Sequence, residues 1–250
     1  MREKEKMLNQ KMYDANYDKE LIEERKKAKE LCFQFNNTHP SDEKKQKEIM
    51  KQLLGKTDDN FCIIGPFWCD YGYNIEIGKN FFANHNLVIL DCAKVTFGDN
   101  VFIAPNCGFY TAGHPIDYER RNKGLEYAYS IKVGNNVWIG GGVQVMPGVT
   151  IGNNVVIGGG SVVVKDIPSD SVAVGNPCKV IRKITEEDKK KDIFVDETTI
   201  RAILTERQFK RLTLYVIRGM TVEQIAEQEG VAHQNVSKSI RQAKKKIKFF

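Results

Sequence analysis

VGNNVW IGGGVQ VMPGVT IGNNVV IGGGSV, residues 133–162, is five consecutive blocks of six residues, and its reading decides the fold. Val133, Ile139, Val145, Ile151 and Ile157 open the blocks with a branched aliphatic, and Val163 continues the series. Four residues later in each block comes a slender side chain: Val137, Val143, Val149, Val155 or Ser161. Turn formers lie between the two columns: Asn135-Asn136, Gly141-Gly142, Pro147-Gly148, Asn153-Asn154 and Gly159-Gly160. An amphipathic strand alternates with period two and does not punctuate itself every six residues. The repeat predicts a parallel β-helix, each block one short strand and one corner. The aliphatics point inward, and Gly or Asn supplies the positive φ that corners demand. With three blocks per coil, residues eighteen apart stack, so Gly141-Gly142 lies on Gly159-Gly160. Such a bare corner either admits a thin ligand to backbone N–H groups or merely reflects a tight turn.

Weaker blocks precede the strict array, IGKNFF from Ile77 and FGDNVF from Phe97. The step from Ile77 to Phe97 is two residues longer than three blocks, which calls for a small bulge near Asp91 and Cys92. Between Tyr110 and Ser130 a charged, polar stretch containing DYERRNKGLE splits the array, and is expected to protrude as a functional loop. Residues 1–58 are highly charged with spaced apolar positions (Leu21, Ile22, Ala28, Leu31, Ile49, Leu53, Leu54) and read as helices. They break at FNNTHPSD, where Ser41 or Asp42 caps the second. Three parts are therefore expected: a helical cap over 1–58, a β-helix over 59–185, and a helical domain over 186–250.

The six cysteines form no CxxC pair, and the four histidines are scattered, which disfavours a disulfide framework and a structural zinc site alike. The charged start MREKEKM and the lack of a long apolar run point to a cytoplasmic chain with no membrane contact. The net charge of +6 is concentrated at one end. From Gln234 onward come Lys238, Arg241, Lys244, Lys245, Lys246 and Lys248, with no acid among them. After the linker-like TEEDKKKD, LTERQFKRLTLYVIRG places Leu204, Phe209, Leu212, Leu214, Tyr215 and Ile217 on one broad apolar face, ending at Gly219. Thr221 with Gln224 makes a capping box for VEQIAEQEG, closed by Gly230. HQNVSKSIRQAKKKIKFF then spaces Val236, Ile240, Ala243 and Ile247 helically. Helix, short Gly-containing turn and basic helix form a helix-turn-helix pattern. The charge run itself suits a polyanion, or nothing beyond a solvated tail.

Residues from about 7 to 184 resemble the sugar O-acetyltransferases of the maltose and galactoside type, hexapeptide-repeat enzymes that use acetyl-coenzyme A. The likeness is carried by MYDANYDKELIEERKKAKELCFQFN, FFANHNLVILD, TAGHPID, NNVWIGGG with PGVTIG, and VVKDIP followed by VGNPCKVIRKI, in the family's order. It implies a mainly β fold, a left-handed parallel β-helix, a homotrimer and active sites shared by neighbouring subunits. The implied reaction is direct acetyl transfer to a sugar hydroxyl in a ternary complex, with no covalent enzyme intermediate and no metal. His114 of TAGHP matches the family's catalytic histidine and would act as general base, a task that suits imidazole because its ordinary pKa is near neutrality.

Asn84 matches the asparagine beside the reacting centre, although a corner asparagine would look the same. The backbone N–H of Gly141 is a candidate oxyanion donor. Trp138 matches a neighbouring tryptophan, with packing the competing role, and Gly159 and Gly160 would pass the pantetheine arm. Lys165, Lys179 and Arg182 match basic positions near the nucleotide phosphates, though each is also an ordinary surface residue type. On the acceptor side, Asp14 and Glu126 match residues that hydrogen-bond sugar hydroxyls, and Asp91 falls in the matching strand. Cys92 stands where galactoside enzymes carry an aspartate and Tyr73 where they carry a serine, which leans toward a maltose or glucose acceptor. Ser130 replaces a usual proline without clear consequence.

The C-terminal segment departs from that family and resembles the region-4-like helix-turn-helix of bacterial sigma factors and phage regulators. Gln234, Asn235, Ser237, Lys238 and Arg241 would then face a major groove, with DNA or RNA polymerase as partner. A helical docking module and a fused remnant are the competing readings. The rival to an enzyme is accordingly a DNA-binding regulator whose β-helix serves as trimerisation scaffold or sensor.

Overall fold

The computed structural model describes residues 1–188, 204–216 and 220–246. The chain divides into two compact units, Met1–Thr185 and Glu186–Phe250. The first is the β solenoid. Its first face stacks Phe61–Ile63, Phe81–Ala83, Val101–Ile103, Val137–Ile139, Val155–Ile157 and Ser171–Val174 in parallel, and Lys179–Lys183 closes it antiparallel. The second face stacks Phe67–Cys69, Leu87–Leu90, Gly108–Tyr110, Gln144–Val145 and Val162–Val163. Ile75–Glu76, Val95–Phe97, Ile131–Val133 and Thr150–Ile151 form the third.

The strict array folds as its period requires. Val137 pairs with Val155, eighteen residues on. Val137, Ile139, Val143, Val145, Ile151, Val155, Ile157 and Val163 are all 1% exposed or less. Each such side chain contributes roughly 1.5–3 kcal/mol of burial. Corner residues Asn80, Asn100, Asn136 and Asn154 all hold φ between 54° and 57°. Asn tolerates this left-handed backbone better than other residues with a Cβ. Their amides also form a ladder, Asn80 Nδ2 donating to Asn100 Oδ1 and Asn100 Nδ2 to Asn136 Oδ1, each at 3.0 Å.

Coil length is not constant. Phe61 pairs with Phe81 and Phe82 with Phe102, so the early coils take twenty residues. The two extra residues lie where the second face turns into the third, at 70–74 and again at 91–94. The bulge expected near Asp91 is therefore real and recurs one coil earlier. Phenylalanines fill these wider coils, with Phe81 against Phe97 at 5.1 Å and Phe97 against Phe109 at 5.0 Å between ring centres.

Three helices precede the solenoid: α1 (Glu3–Leu8), α2 (Lys19–Asn36) and α3 (Glu43–Leu53). Asp18 caps α2 by accepting from Leu21 N at 3.0 Å, and Asp42 caps α3 by accepting from Lys45 N at 3.1 Å. Ala28, Cys32, Phe35, Ile49, Met50 and Leu53 join the same apolar core as Phe61, Ile63 and Phe67. Residue 58 thus marks a change of secondary structure, not of packing body. The side chain of Asn36 pins the end of α2 to the first coil, donating to Phe67 O and accepting from Phe67 N.

The excursion after Tyr110 is more ordered than a protruding loop. It holds Ala112–Gly113, the short helix α4 (Tyr118–Asn122) and Leu125–Ala128. Leu125–Ala128 pairs antiparallel with both Ala112–Gly113 and Tyr13–Asp14, a three-stranded sheet that anchors the excursion to the N-terminal segment.

The second unit contains α5 (Glu206–Val216), α6 (Val222–Glu229) and α7 (His233–Lys246). Leu204, Leu212, Ile225, Ala226, Val236, Ile240 and Ala243 make its core. Thr221 and Gln224 form the reciprocal capping box, and Gly230 ends α6 at φ 63°. The expected roles of Ile217, Gly219, Ile247 and Lys248 lie outside the described residues, as do the side chains of Lys244, Lys245 and Lys246.

Candidate active site

Two corners of the solenoid carry the candidate residues. At the turn from second to third face, Gly113 leads directly into His114, whose Nδ1 lies 3.2 Å from the carbonyl of Leu125. A carbonyl only accepts, so in the neutral imidazole this contact makes Nδ1 the protonated nitrogen and puts the lone pair on Nε2. His114 Nε2 sits 3.7 Å from Glu126 Oε1, and the histidine side chain is half exposed. The other oxygen of Glu126 accepts a hydrogen bond from Tyr13 Oη at 2.9 Å. Tyr13 is fully buried, and burial first, then Cys92 and Glu126, drives its pKa far up. It therefore remains a phenol donor at any ordinary pH and fixes the carboxylate beside His114. Sequence reasoning assigned no role to Tyr13, although it stands in the MYDANYD stretch.

Asp14 pairs in register with Leu125, and its Oδ1 accepts from the backbone N–H groups of Asn16 and Tyr17 at 3.1 and 3.0 Å. Arg25, also missed, reaches from α2 to Tyr71 Oη at 2.6 Å and to the carbonyl of Ala15 at 2.5 Å. It thereby ties the N-terminal segment to the first coil. Tyr73 donates to Glu24 Oε2 at 2.8 Å, with Lys4 Nζ 4.9 Å above its ring. Cys92 is buried and its Sγ lies 3.5 Å from Asp70 Oδ2. Burial pushes the Cys92 thiol far above its usual range, so it stays protonated.

Asp91 corrects an expectation. Its side chain is fully buried and accepts from the backbone N–H groups of Tyr71, Asp70 and Asn74 at 2.8, 3.1 and 3.3 Å. It staples the extra residues of one coil to those of the next and offers no surface to a sugar. Desolvation raises its pKa to about 7.

The second corner, from first to second face, holds Asn84 and the bare glycines. Asn84 Oδ1 accepts from His85 N at 2.8 Å. Above it the backbone stacks Pro105, Gly141 and Gly159, with Gly142 N donating to Pro105 O at 2.9 Å and Gly160 N to Gly141 O at 2.8 Å. Gly142 and Gly160 hold φ 72° and 70°, matching Asn86 and Asn106 on earlier coils of the same column, so their glycines answer a backbone need. Gly141 does not: its φ is not positive, and a Cβ there meets only Pro105 O at an ordinary 3.5 Å. Trp138, on the outer side of the first face, is 52% exposed, so packing within its own chain does not account for it. Lys179 and Arg182 lie exposed on the closing strand of that face, whereas Lys165 follows Val162–Val163 at the His114 corner.

The structure thus gathers His114, Glu126, Asp14, Tyr73 and Cys92 around one corner, with Asn84, Gly141, Gly159 and Gly160 at another. The strands Leu87–Leu90, Gly108–Tyr110 and Gln144–Val145 separate the two sets. Among the described residues no group of three His, Cys, Asp or Glu side chains is placed to hold a metal ion, and no helix is long and apolar enough to cross a membrane.

Residues 6–58 match the maltose acetyltransferase hexapeptide capping motif, and residues 130–165 the bacterial transferase hexapeptide of six repeats. An acetyltransferase of Saccharomyces cerevisiae, so named by inference, is 61% identical over 177 residues, spanning 71% of this chain and 90% of that protein. The chain belongs to the hexapeptide-repeat acetyltransferases of the maltose and galactoside type. Within this family, a maltose O-acetyltransferase from Clostridium difficile superposes with TM-score 0.73 at 54% identity, covering 74% of this chain and 99% of that structure. A galactoside acetyltransferase in complex with coenzyme A gives TM-score 0.73 at 45% identity, covering 76% and 94%. Both family matches fall within the first unit, Met1–Thr185.

Proposed function

We propose that this acetyltransferase moves the acetyl group of acetyl-coenzyme A onto a sugar hydroxyl, with His114 as general base. The observation that carries the reading is the Leu125 carbonyl on Nδ1, which leaves a lone pair on Nε2 at a half-exposed site bordered by Glu126. Nε2 takes the hydroxyl proton as the sugar oxygen attacks the thioester carbon. The tetrahedral oxyanion rests on the Gly141 backbone N–H, and collapse expels the coenzyme A sulfur, which receives the proton back from His114. Asn84 orients the reacting groups. Gly159 and Gly160 pass the pantetheine arm near Trp138, and Lys165, Lys179 and Arg182 meet the phosphates.

The two-corner arrangement favours a homotrimer in which the His114 corner of one subunit faces the glycine corner of the next, because one subunit alone sets them at opposite ends of the second face. Asp14 and Glu126 bind acceptor hydroxyls. The bulky Tyr73, and the replacement of the galactoside enzymes' aspartate by the buried Cys92, favour a maltose- or glucose-like acceptor over a galactoside. Release of coenzyme A is followed with a thiol reagent against maltose, glucose, galactosides and amino sugars, for wild type and His114→Ala. Sugar-dependent release falling ~10²–10⁴-fold in the variant supports the role of His114, in line with general-base contributions. Equal traces remove it.

A further inference from the structure

The described residues of the second unit have a feature that acetyl transfer leaves unused: a basic, hydrogen-bonding face on α7. Val236, Ser239, Ile240 and Ala243 of this helix are buried, and among the described residues its apolar side packs into the core shared with α5 and α6. The opposite side exposes Gln234, Asn235, Lys238, Arg241 and Gln242, with Ser237 at its edge. Gln234, Lys238 and Arg241 are spaced i, i+4, i+7 and share one stripe. No acid occurs from Gly230 to Phe250, whereas the acids of the neighbouring helix are Glu223, Glu227 and Glu229 on α6.

The connection is as specific as the surface. Gly230 at φ 63° closes α6, and only Gly230, Val231 and Ala232 separate it from α7. Arg211 of α5 is buried and grips both sides of this turn. Its Nε and Nη2 lie 2.8 and 2.6 Å from Glu229 Oε2, and Nη1 donates to the Asn235 carbonyl at 3.1 Å. The guanidinium therefore ties the end of α6 to the first turn of α7 across the connecting turn. A fourteen-residue helix presented in this way fits the width of a B-DNA major groove.

We propose that the C-terminal unit binds duplex DNA through the exposed face of α7, with Gln234 and Asn235 reading base edges and Lys238 and Arg241 contacting phosphates. Amide side chains pair bidentately with adenine, and cations neutralise backbone charge. A membrane surface is a poorer partner, because the exposed face of α7 carries no large apolar side chain among the described residues.

The test uses the full chain and a fluorescent 30-base-pair duplex of mixed sequence, read by anisotropy at several salt concentrations. Wild type is compared with Lys238→Ala/Arg241→Ala, whose exposed positions leave the helical core intact. The expected result is micromolar, salt-dependent binding, at least tenfold weaker in the double variant, with the log–log salt slope smaller in magnitude by about 2. A random-sequence pool enriched on wild type and on Gln234→Ala/Asn235→Ala should yield a common motif only for wild type. Equal duplex affinity for wild type and the lysine-arginine variant, or tighter binding of a single-stranded RNA of equal length, overturns the proposal. Coenzyme A release on the same samples should be unchanged, which separates failure here from failure of the acetyl-transfer reading.

Discussion

Asp91→Asn is the substitution with the least intuitive expected outcome. Asp91 is fully buried, and desolvation, strengthened by the charge of Asp70, holds its pKa at about 7 against the backbone N–H of Tyr71 and Asn74. The unfolded chain releases that proton near the ordinary value of 3.8. Between these values the folded state binds more protons, so stability is fully present below pH 3.8 and is lost as pH rises toward 7. Three pKa units at 1.36 kcal/mol each correspond to about 4 kcal/mol over the whole window. Asparagine imitates the protonated acid in part: its Oδ1 still accepts from Tyr71 and Asp70, but its NH2 group cannot accept from Asn74 N, so the 3.3 Å bond is lost. The variant should lie about 1 kcal/mol below wild type near pH 4.5, for the lost Asn74 bond, and exceed it by about 2 kcal/mol at pH 7.5. Urea unfolding at fixed protomer concentration, with circular dichroism detection at pH 4.5, 5.5, 6.5 and 7.5, measures the difference. If wild type instead gains on the variant as pH rises, three N–H donors outweigh burial and the reasoning fails.

Other outcomes follow from single contacts. Tyr13→Phe removes the hydrogen bond that fixes Glu126 and should raise KM for the sugar about tenfold with kcat less affected, since a hydrogen bond to a charged group is worth roughly 1.5–3 kcal/mol; steady-state kinetics check this. Ile139→Ala opens a cavity in the strict array and should cost about 2–5 kcal/mol in denaturant unfolding. Asn100→Ala breaks two ladder bonds and leaves Ala at φ 56°, an expected loss of about 1–2 kcal/mol by the same assay. Arg211→Ala strands Glu229 and should cost the C-terminal unit about 3–5 kcal/mol. Calorimetry should show that unit melting earlier while the β solenoid transition stays in place.

Much of the first unit was legible because its rules are local. The six-residue period of Val133–Val163, the positive-φ asparagines and glycines and the Asp42 cap each follow from a few neighbouring residues, as does the Thr221 cap in the second unit. The candidate site was legible only through motif resemblance, since TAGHP carries no intrinsic sign that His114 will lie against the Leu125 carbonyl. Asp91 was placed on the acceptor side by its position in the family's matching strand, and nothing local reveals that three N–H groups from the preceding coil converge on it.

The sequence by itself determined the solenoid, the helical ends and the basic character of α7, because periodicity, capping and charge are written residue by residue. Only the tertiary structure decided that Tyr13 meets Glu126 across 113 positions, that the excursion returns as a sheet strand, and that base and glycine corner lie apart on one chain. Those features depend on which distant backbone segments find each other's hydrogen bonds, and such pairings leave no period in the sequence.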